Sequence, residues 1–429
     1  MLPELNYKKI VLKNGIRVTT VPMKGTAAVT SLVVVGVGGQ YEPKKLSGIS
    51  HYLEHLVFKG SKKYPTAHKI STVLDGLGAS YNAYTSDEYT GFYVKTSADN
   101  TEKGLDVIAD YLKNPLFKPS EVERERGPII EELKMYYDNL PRYAYSLFQE
   151  ILYGDQPAGR DVGGSIKSVS NIKRADIKKH FDTYYGGENI CIVFAGNISH
   201  AHGRKLASKY FEDIESADRV LKFAVKNPQP ATKERVVIKN KKNDQTHFVL
   251  GFRGLSGSDK NIYALNVLSM ILGSGMSSRL FTEVREKRGL AYYVGANKIS
   301  GSDYGHFSIR SGVSHDNLIK ALRVIIKEIK KIKKYTPPTS ELKKIKDRAE
   351  GLIALDMEES SDIAFDFGMD EMIFNKIETP IEIMRKINKV KPNDVRKIAN
   401  EILKKDMARL AIIGPHKNIK ELENLLDTI

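Results

Sequence analysis

The stretch SLVVVGVGG, residues 31–39, is an apolar run that ends in glycines, and HFVLGFRGL at residues 247–255 has the same pattern. Gly36 matches Gly251, which sets an offset of 215 positions between the two stretches (251 minus 36). Short apolar runs bounded by glycine are typical of buried strands. Self-similarity at one fixed offset indicates that a single structural unit occurs twice.

Further matches extend the repeat over most of the chain. DEYTGFYV (87–94) and SDYGHFSI (302–309) recur at the same offset, and ICIVFAGNI (190–198) corresponds to ARLAIIGPH (408–416). Each half mixes aromatic or alternating strands with segments of helical periodicity, which favours an α+β unit with a largely antiparallel sheet. We therefore predict an α+β protein of two homologous domains, each a largely antiparallel mixed sheet packed with helices.

A candidate linker separates the halves. FAVKNPQPATKER, residues 223–235, is polar and contains two prolines, a composition typical of an extended connection. We place the boundary there and predict an N-terminal domain of residues 1–225 and a C-terminal domain of residues 226–429.

Length and composition are those of a globular protein. The 429 residues suffice for two sizeable cores, and no apolar run approaches the roughly 20 residues of a membrane helix. The N-terminus has no apolar signal core and no amphipathic leader, so we expect a cytoplasmic protein without a membrane partner. Cys191 is the single cysteine and lies in an apolar run, which predicts a buried, inert thiol.

The net charge of +15 is concentrated in the second half of the chain. There, stretches such as IKKIKKYTPPTSELKKIKDR (329–348) alternate lysine with aliphatic residues at helical spacing, a pattern of solvated helix faces. A nucleic-acid-binding module would add aromatic residues or a recognised motif to such charge. We expect no nucleic-acid partner; that alternative predicts steeply salt-dependent affinity for DNA or RNA.

The stretch GISHYLEHLVFKG (48–60) contains two candidate metal-binding histidines. His51 and His55 are four residues apart on a predicted helix, so both imidazoles can face one metal ion, and the H-x-x-E-H pattern is the inverzincin signature. Ser47 is the expected N-cap and Gly60 the expected C-terminal stop. Alternatively, both histidines are ordinary helix residues.

The repeat supplies an internal control for this choice. HYLEHL in the first half lies opposite NVLSMI in the second, which places Asn266, Ser269 and Met270 opposite His51, Glu54 and His55. The helical pattern survives in the copy while each candidate ligand or proton carrier is absent. The fold therefore does not require these residues.

A third zinc ligand is expected from PSEVERERGPIIEELKMYYDNLP (119–141). Ser120 and Glu123 form a possible capping box at the start of a helix, with a kink expected at Gly127 and Pro128. At about 100° per residue, Glu125 and Glu132 share one face of that helix, whereas Glu131 does not. We predict Glu132 as the ligand and Glu125 as a residue that orients a ligand histidine or contributes negative potential.

HYLEH followed by FKGS, and ERERGPIIEEL with its last glutamate 77 residues after His55 (132 minus 55), resemble the zinc site of the pitrilysin, insulin-degrading enzyme and mitochondrial processing peptidase family. GASYNAYTSDEYTGFYV and YGDQPAGRDVGG resemble further segments of these inverzincins. The resemblance covers essentially the whole chain. It implies one Zn²⁺ per chain, bound by His51, His55 and Glu132, with Glu54 as the base that activates a zinc-bound water. From its place on the helix, we expect Glu125 to assist catalysis.

The resemblance also implies substrate contacts. Asn82 matches the edge strand that pairs with an extended substrate in the family. GSGMSSRLFTEVREKRGLAYYVGAN resembles the segment that supplies an arginine and a tyrosine to the substrate carbonyl. By spacing these are Arg285 and Tyr292, with Arg288 as the competing arginine.

The sequence thus predicts a zinc metalloendopeptidase that cuts small or unfolded peptides in an enclosed chamber. Because one chain carries both the zinc set and the arginine and tyrosine, it resembles the self-sufficient, two-domain bacterial-type members. Four homologous units enclose the chamber in that family, so a homodimer is expected. The alternative is a catalytically silent structural or binding subunit of the same fold.

Overall fold

The computed structural model describes residue 2, residues 4–225 and residues 232–429. Its strands are β1 (Lys8–Val11), β2 (Arg17–Pro22), β3 (Ala28–Val35), β4 (Ser80–Thr85), β5 (Thr90–Ser97), β6 (Ile190–Gly196), β7 (Val236–Lys239), β8 (Thr246–Arg253), β9 (Ala291–Ser300), β10 (Gly305–Val313) and β11 (Arg409–Ile413). Its α-helices are α1 (Ile49–Val57), α2 (Ala67–Gly76), α3 (Thr101–Lys113), α4 (Pro119–Asp138), α5 (Leu140–Tyr153), α6 (Ile166–Asn171), α7 (Arg174–Tyr184), α8 (His200–Phe211), α9 (Ile262–Gly273), α10 (Leu318–Lys334), α11 (Thr339–Asp356), α12 (Ser360–Phe374), α13 (Pro380–Lys389), α14 (Pro392–Ile402) and α15 (Ile419–Leu426).

The strands form two sheets with the same internal order. One sheet runs β1-β2-β6-β3-β5-β4 and the other β7-β11-β8-β10-β9, so among the described residues the second sheet repeats the order β2-β6-β3-β5-β4 of the first. In each sheet one pair is parallel, β2 with β6 and β7 with β11, and the other pairs are antiparallel. The predicted fold class, an α+β protein of two homologous domains with largely antiparallel sheets, is confirmed.

The chain divides into two compact units, but each is assembled from three segments. Unit 1 comprises Met1–Leu133, Asp161–Phe223 and Leu352–Ile381, and unit 2 comprises Lys134–Arg160, Ala224–Gly351 and Glu382–Ile429. Helix α12 therefore belongs to unit 1 although it lies late in the sequence, and α5 belongs to unit 2. The predicted boundary between residues 225 and 226 falls at the start of residues 226–231, which lie outside the described residues.

Helix α12 joins unit 1 through an apolar face and a buried ion cluster. Its Ile363, Ala364 and Phe367 pack in one core with residues of the central strands β3 and β6. On the same helix, Glu371 is 1% exposed, and its carboxylate lies 2.7 Å from Lys9 Nζ and 2.8 Å from Arg17 Nε. The two cations of β1 and β2 thus compensate a buried carboxylate that would be costly alone.

Helix α5 joins unit 2 in the same way, through apolar residues and one buried polar group. Phe148 and neighbouring α5 residues pack with Val249 of β8 and with β11. His306 of β10 is fully buried, and its ring nitrogens lie 2.6 Å from Tyr145 Oη and 3.0 Å from Tyr153 Oη, both on α5. Burial, reinforced by the positive charges of Arg310 and Arg253, lowers the pKa of His306 to about 3.

The buried histidine predicts acid sensitivity. Between about pH 3 and 6.5 the unfolded chain binds a proton at His306 that the folded chain does not bind, so stability falls as pH falls through this window. By pH 5 this effect amounts to about 2 kcal/mol. We expect denaturant unfolding at pH 7 and pH 5 to show this loss, and the His306→Gln protein to lose about 2 kcal/mol less between the two pH values. Equal pH dependence in both proteins contradicts the assignment.

Two further expectations concern the lone thiol and the membrane. Cys191 is buried, as predicted, and burial raises the pKa of its thiol to about 12, which makes it a poor nucleophile. Throughout the part of the chain that the structure describes, every helix is too short or too polar to cross a bilayer.

Candidate active site

Helix α1 presents its two histidines to one side because apolar residues hold the other side in the core. Tyr52, Leu53, Leu56 and Val57 are each at most 1% exposed, which leaves His51 and His55 on the remaining face. Adjacent turns of a helix bring residues four apart together, and the two imidazole centroids are 4.7 Å apart.

The start of α1 differs from the prediction. The N-cap is Gly48, not Ser47, and the carboxylate of Glu42 accepts hydrogen bonds from the amides of Gly48 (2.6 Å) and Ser50 (2.8 Å). A carboxylate at a helix N-terminus satisfies free amides and complements the helix dipole. Gly48 has φ 93°, and a Cβ there would lie 2.4 Å from the carbonyl oxygen of Gly163, so glycine is required.

Helix α4 carries Glu125 and Glu132. It begins at Pro119 rather than being capped by Ser120, and it runs unbroken through Pro128. Proline is well suited to the first helical position because it has no amide hydrogen to leave unsatisfied. The hydroxyl of Tyr52 on α1 donates a hydrogen bond to the carbonyl oxygen of Val122 on α4. This bond restricts sliding of the two helices along each other.

His51, His55 and Glu132 converge. One ligand atom from each lies within 4.8 Å of the others, with Glu132 Oε2 3.6 Å from His51 Nε2 and 3.4 Å from His55 Nε2. Two imidazole nitrogens and one carboxylate oxygen are a donor set of catalytic zinc sites. The residues present therefore fit the metal. Glu131, the neighbour that periodicity disfavoured, is exposed.

Glu125 binds the Nδ1 side of the His55 ring. Its Oε1 accepts a hydrogen bond from His55 Nδ1 (2.9 Å), and its Oε2 lies 2.7 Å from Lys59 Nζ. Burial alone would raise the pKa of Glu125, but the hydrogen bonds from His55 and Lys59 outweigh it and lower the pKa. A carboxylate on Nδ1 fixes the tautomer that leaves Nε2 as an acceptor directed at Glu132.

Glu54 lies beside this trio with a different neighbour. Thr85 Oγ1 on β4 donates to Glu54 Oε2 at 2.6 Å. Burial raises the pKa of the Glu54 carboxyl above its ordinary value, and the Thr85 hydrogen bond offsets part of that shift. A raised pKa brings a carboxylate closer to the range in which it can take and return a proton near neutral pH.

Sequence reasoning missed three residues of this site. Lys59 lies in the turn that follows α1, four residues after His55, so its spacing from His55 could have indicated it. Glu42 and Thr85 lie outside α1, on segments whose approach to the helix depends on the tertiary fold. No local pattern indicates those two contacts.

Asn82 lies on the outermost strand of the unit 1 sheet. β4 is an edge strand of the sheet. Asn82 is exposed and pairs with Tyr93 of β5 in the antiparallel register. Its Oδ1 accepts a hydrogen bond from the amide of Ala83 (2.9 Å). The matching residue of the outer strand β9 in unit 2, Asn297, makes the same bond to the amide of Lys298 (2.9 Å). The arrangement is thus a property of both repeats.

Arg285 and Tyr292 lie close together in unit 2. The Arg285 guanidinium carbon is 5.5 Å from the Tyr292 ring centroid, and Tyr292 is 72% exposed. Arg288 instead donates to the carboxylate of Glu283 (2.8 Å) and to its carbonyl oxygen. Of the two arginines, Arg285 is therefore the one with a contact to Tyr292, and Arg288 pairs with Glu283.

Comparison with known proteins gives consistent matches. Residues 17–165 match the family model described as Insulinase (Peptidase family M16), and residues 171–349 match Peptidase M16 inactive domain. A protein of Rickettsia felis named an uncharacterized zinc protease is 32% identical over 415 residues, covering 96% of this chain and 98% of that protein. A Bacillus subtilis protein, also named an uncharacterized zinc protease, is 30% identical over 412 residues, covering 96% and 99%.

Solved structures show the same fold. The crystal structure of a protease from Helicobacter pylori superimposes with a TM-score of 0.87 at 27% identity, covering 97% of this chain and all of that chain. A chain of complex III2 from Candida albicans superimposes with a TM-score of 0.83 at 16% identity, covering 98% of this chain and 99% of that chain. The second likeness is one of fold alone.

Proposed function

Since the chain belongs to the insulinase family of peptidases, peptidase family M16, we propose that it is a zinc metalloendopeptidase that hydrolyses small or unfolded peptides. One observation carries the proposal: His51, His55 and Glu132 bring three ligand atoms within 4.8 Å of one another. Zinc, when bound there, would lower the pKa of a coordinated water and polarise the scissile carbonyl.

Glu54 is the proposed proton carrier. It shares α1 with both histidines but faces Thr85, so it is not directed into the trio of ligand atoms. From this position its carboxylate takes a proton from the attacking water and returns it to the leaving amine. The raised pKa of Glu54 supports both halves of that role.

Glu125 is the proposed orienting residue. Because it is bonded to both His55 and Lys59, it holds the imidazole with Nε2 towards Glu132. Its contribution is therefore to ligand geometry, and proton transfer to substrate falls to Glu54.

The outer strand β4 is the proposed substrate platform. An extended peptide adds to a free strand edge through main-chain hydrogen bonds, and Asn82 is exposed on this strand. The Asn82 side chain at present satisfies the amide of Ala83. Substrate that pairs with β4 would take over that amide and release the Asn82 carboxamide to bind substrate backbone.

Arg285 and Tyr292 are the proposed oxyanion donors. A guanidinium and a phenol near the reacting carbonyl stabilise the negative charge that develops in the transition state. The resemblance to the family motivates this role, and the stacking of Arg285 over Tyr292 supports the choice of residues.

Paired arginine substitutions test this choice. We expect Arg285→Ala to lower kcat/KM about 10²–10³-fold, because one charged donor to the oxyanion is lost. Arg288→Ala breaks an exposed ion pair with Glu283, and such pairs contribute little, so kcat/KM should stay unchanged. Steady-state kinetics on one fluorogenic peptide measure both. The reverse order of effects would assign the donor role to Arg288.

The proposed enzyme is a homodimer. Two copies of this two-unit chain supply four homologous units, the number that encloses a chamber in the family. We propose the cytoplasm as its compartment. The expected mass in solution is twice the 48.1 kDa of one chain. Light scattering after gel filtration measures it.

A peptide-cleavage assay tests the function. Purified protein is incubated with a quenched peptide library, with and without a chelator, and with zinc restored after chelation. Cleavage that stops with chelator and returns with zinc supports the peptidase. Absence of cleavage in the zinc-loaded protein favours the alternative, a catalytically silent structural or binding subunit.

A further inference from the structure

Thr85 contacts the proposed proton carrier from a different part of the fold. Its hydroxyl donates to Glu54 Oε2 at 2.6 Å, although 31 residues separate the two in sequence. In the described ranges 4–225 and 232–429, this is the one hydrogen bond to the Glu54 carboxylate. The orientation of that carboxylate therefore depends on a single neutral side chain.

The contact determines which carboxylate oxygen is available. A glutamate at the surface of a helix can rotate its terminal group almost freely, since that torsion has broad minima. A short hydrogen bond to Oε2 removes this freedom and leaves Oε1 as the oxygen that receives no hydrogen bond from the described residues.

Strand geometry explains how Thr85 reaches Glu54. Side chains alternate along a strand, so Thr85 and Ala83 face one side of the sheet while Asn82 and Tyr84 face the other. Thr85 is thus directed at α1, whereas Asn82 is exposed on the opposite face. The same strand holds Glu54 and presents the edge proposed to receive substrate.

The second repeat shows that the fold does not require the pair. At the offset of 215, Ser300 corresponds to Thr85 and Ser269 to Glu54 (300 minus 85; 269 minus 54). Ser269 Oγ donates to the carbonyl of Ala296 (3.3 Å), and Ser300 Oγ is buried with no hydrogen-bond partner in the part of the chain that the structure describes. The hydroxyl–carboxylate contact occurs in the unit that carries the metal ligands.

We propose that Thr85 is a positioning residue of the peptidase, which acts on the reaction through Glu54. This rests on the proposed function, because the role has meaning only if Glu54 carries the proton. Thr85 contributes to the step in which the proton moves and contributes little to substrate or metal affinity.

Three substitutions test the proposal on the full-length, zinc-loaded protein. Thr85→Val keeps the shape and strand preference but removes the donor, and we expect kcat to fall about 10–100-fold with KM unchanged. Thr85→Ser restores the hydroxyl and should recover most of kcat. Thr96→Val is the matched control and should leave kcat unchanged. Thr96 Oγ1, on the neighbouring strand β5, is buried and has no hydrogen-bond partner among the described residues.

Two readouts separate positioning from a general structural effect. Zinc content and melting temperature should match the wild type in all three proteins. In a Glu54→Gln background, Thr85→Val should have no further effect on residual kcat, because residues that act as a unit are non-additive. Wild-type kcat in Thr85→Val, or an equal loss in both backgrounds, would overturn the role of Thr85 and leave the peptidase in place. Wild-type protein without chelator-sensitive cleavage would overturn the proposed function, and Thr85 with it.

Discussion

Glu54→Gln is expected to lower kcat about 10²–10⁴-fold while the protein still binds one zinc ion. Glutamine has nearly the same shape as glutamate but cannot take a proton. The three proposed ligand atoms belong to His51, His55 and Glu132, so the substitution leaves the metal centre intact. The Thr85 hydroxyl can still donate to the amide oxygen, which keeps the side chain in place.

The measurement combines kinetics with metal analysis on the same preparation. Residual kcat is determined by single-turnover cleavage of a fluorogenic peptide, and zinc per chain by elemental analysis. Wild-type turnover in the substituted protein would remove Glu54 from the mechanism. Loss of zinc together with turnover would show instead that Glu54 contributes to metal binding.

Glu132→Gln should have the second large effect, on the metal itself. A neutral amide oxygen is a poor zinc ligand beside two imidazoles. Substituting a residue that only supports a ligand typically lowers metal affinity about 10–100-fold, and we expect Glu132→Gln to lower zinc affinity by more than that. Glu131→Gln is the matched control, because it removes the same charge one residue earlier on α4 from an exposed position.

Competition with a chromophoric chelator measures both affinities under one condition. The control should retain wild-type zinc affinity and wild-type cleavage. Equal affinities in the two substituted proteins would contradict the assignment of Glu132, and a larger loss in Glu131→Gln would transfer the ligand role to that residue.

The zinc-binding candidates could be predicted from the sequence because their relation is local or periodic. His51 and His55 are one helical turn apart, and the identity of the glutamate on α4 followed from its phase relative to Glu125. The repeat was also visible, because strand patterns recur at offsets of 215 or 218 residues. Sheet order in both units agrees with that repeat.

The exchange of α5 and α12 could not be predicted in this way. An amphipathic helix shows in its sequence that one face is buried, but not which sheet buries it. α12 packs on β3 and β6 in unit 1, and α5 packs on β8 and β11 in unit 2, so each compact unit includes a helix from the other half of the chain. A single cut near residue 225 does not describe that arrangement.

The N-termini of α1 and α4 were also predicted wrongly from the sequence. Ser47 and Ser120 are common capping residues, yet the structure uses the carboxylate of Glu42 for α1 and begins α4 at Pro119. In α1 the free amides of the first turn bond to a carboxylate that lies outside the helix. In α4 the first helical residue is a proline, which has no amide hydrogen to satisfy.

Zinc-edge anomalous diffraction from crystals of the zinc-loaded protein tests the central claim most directly. We predict one zinc ion per chain, about 2.0–2.2 Å from nitrogens of His51 and His55 and from a carboxylate oxygen of Glu132. An anomalous peak elsewhere, or none at these three residues with zinc in excess, would contradict the account.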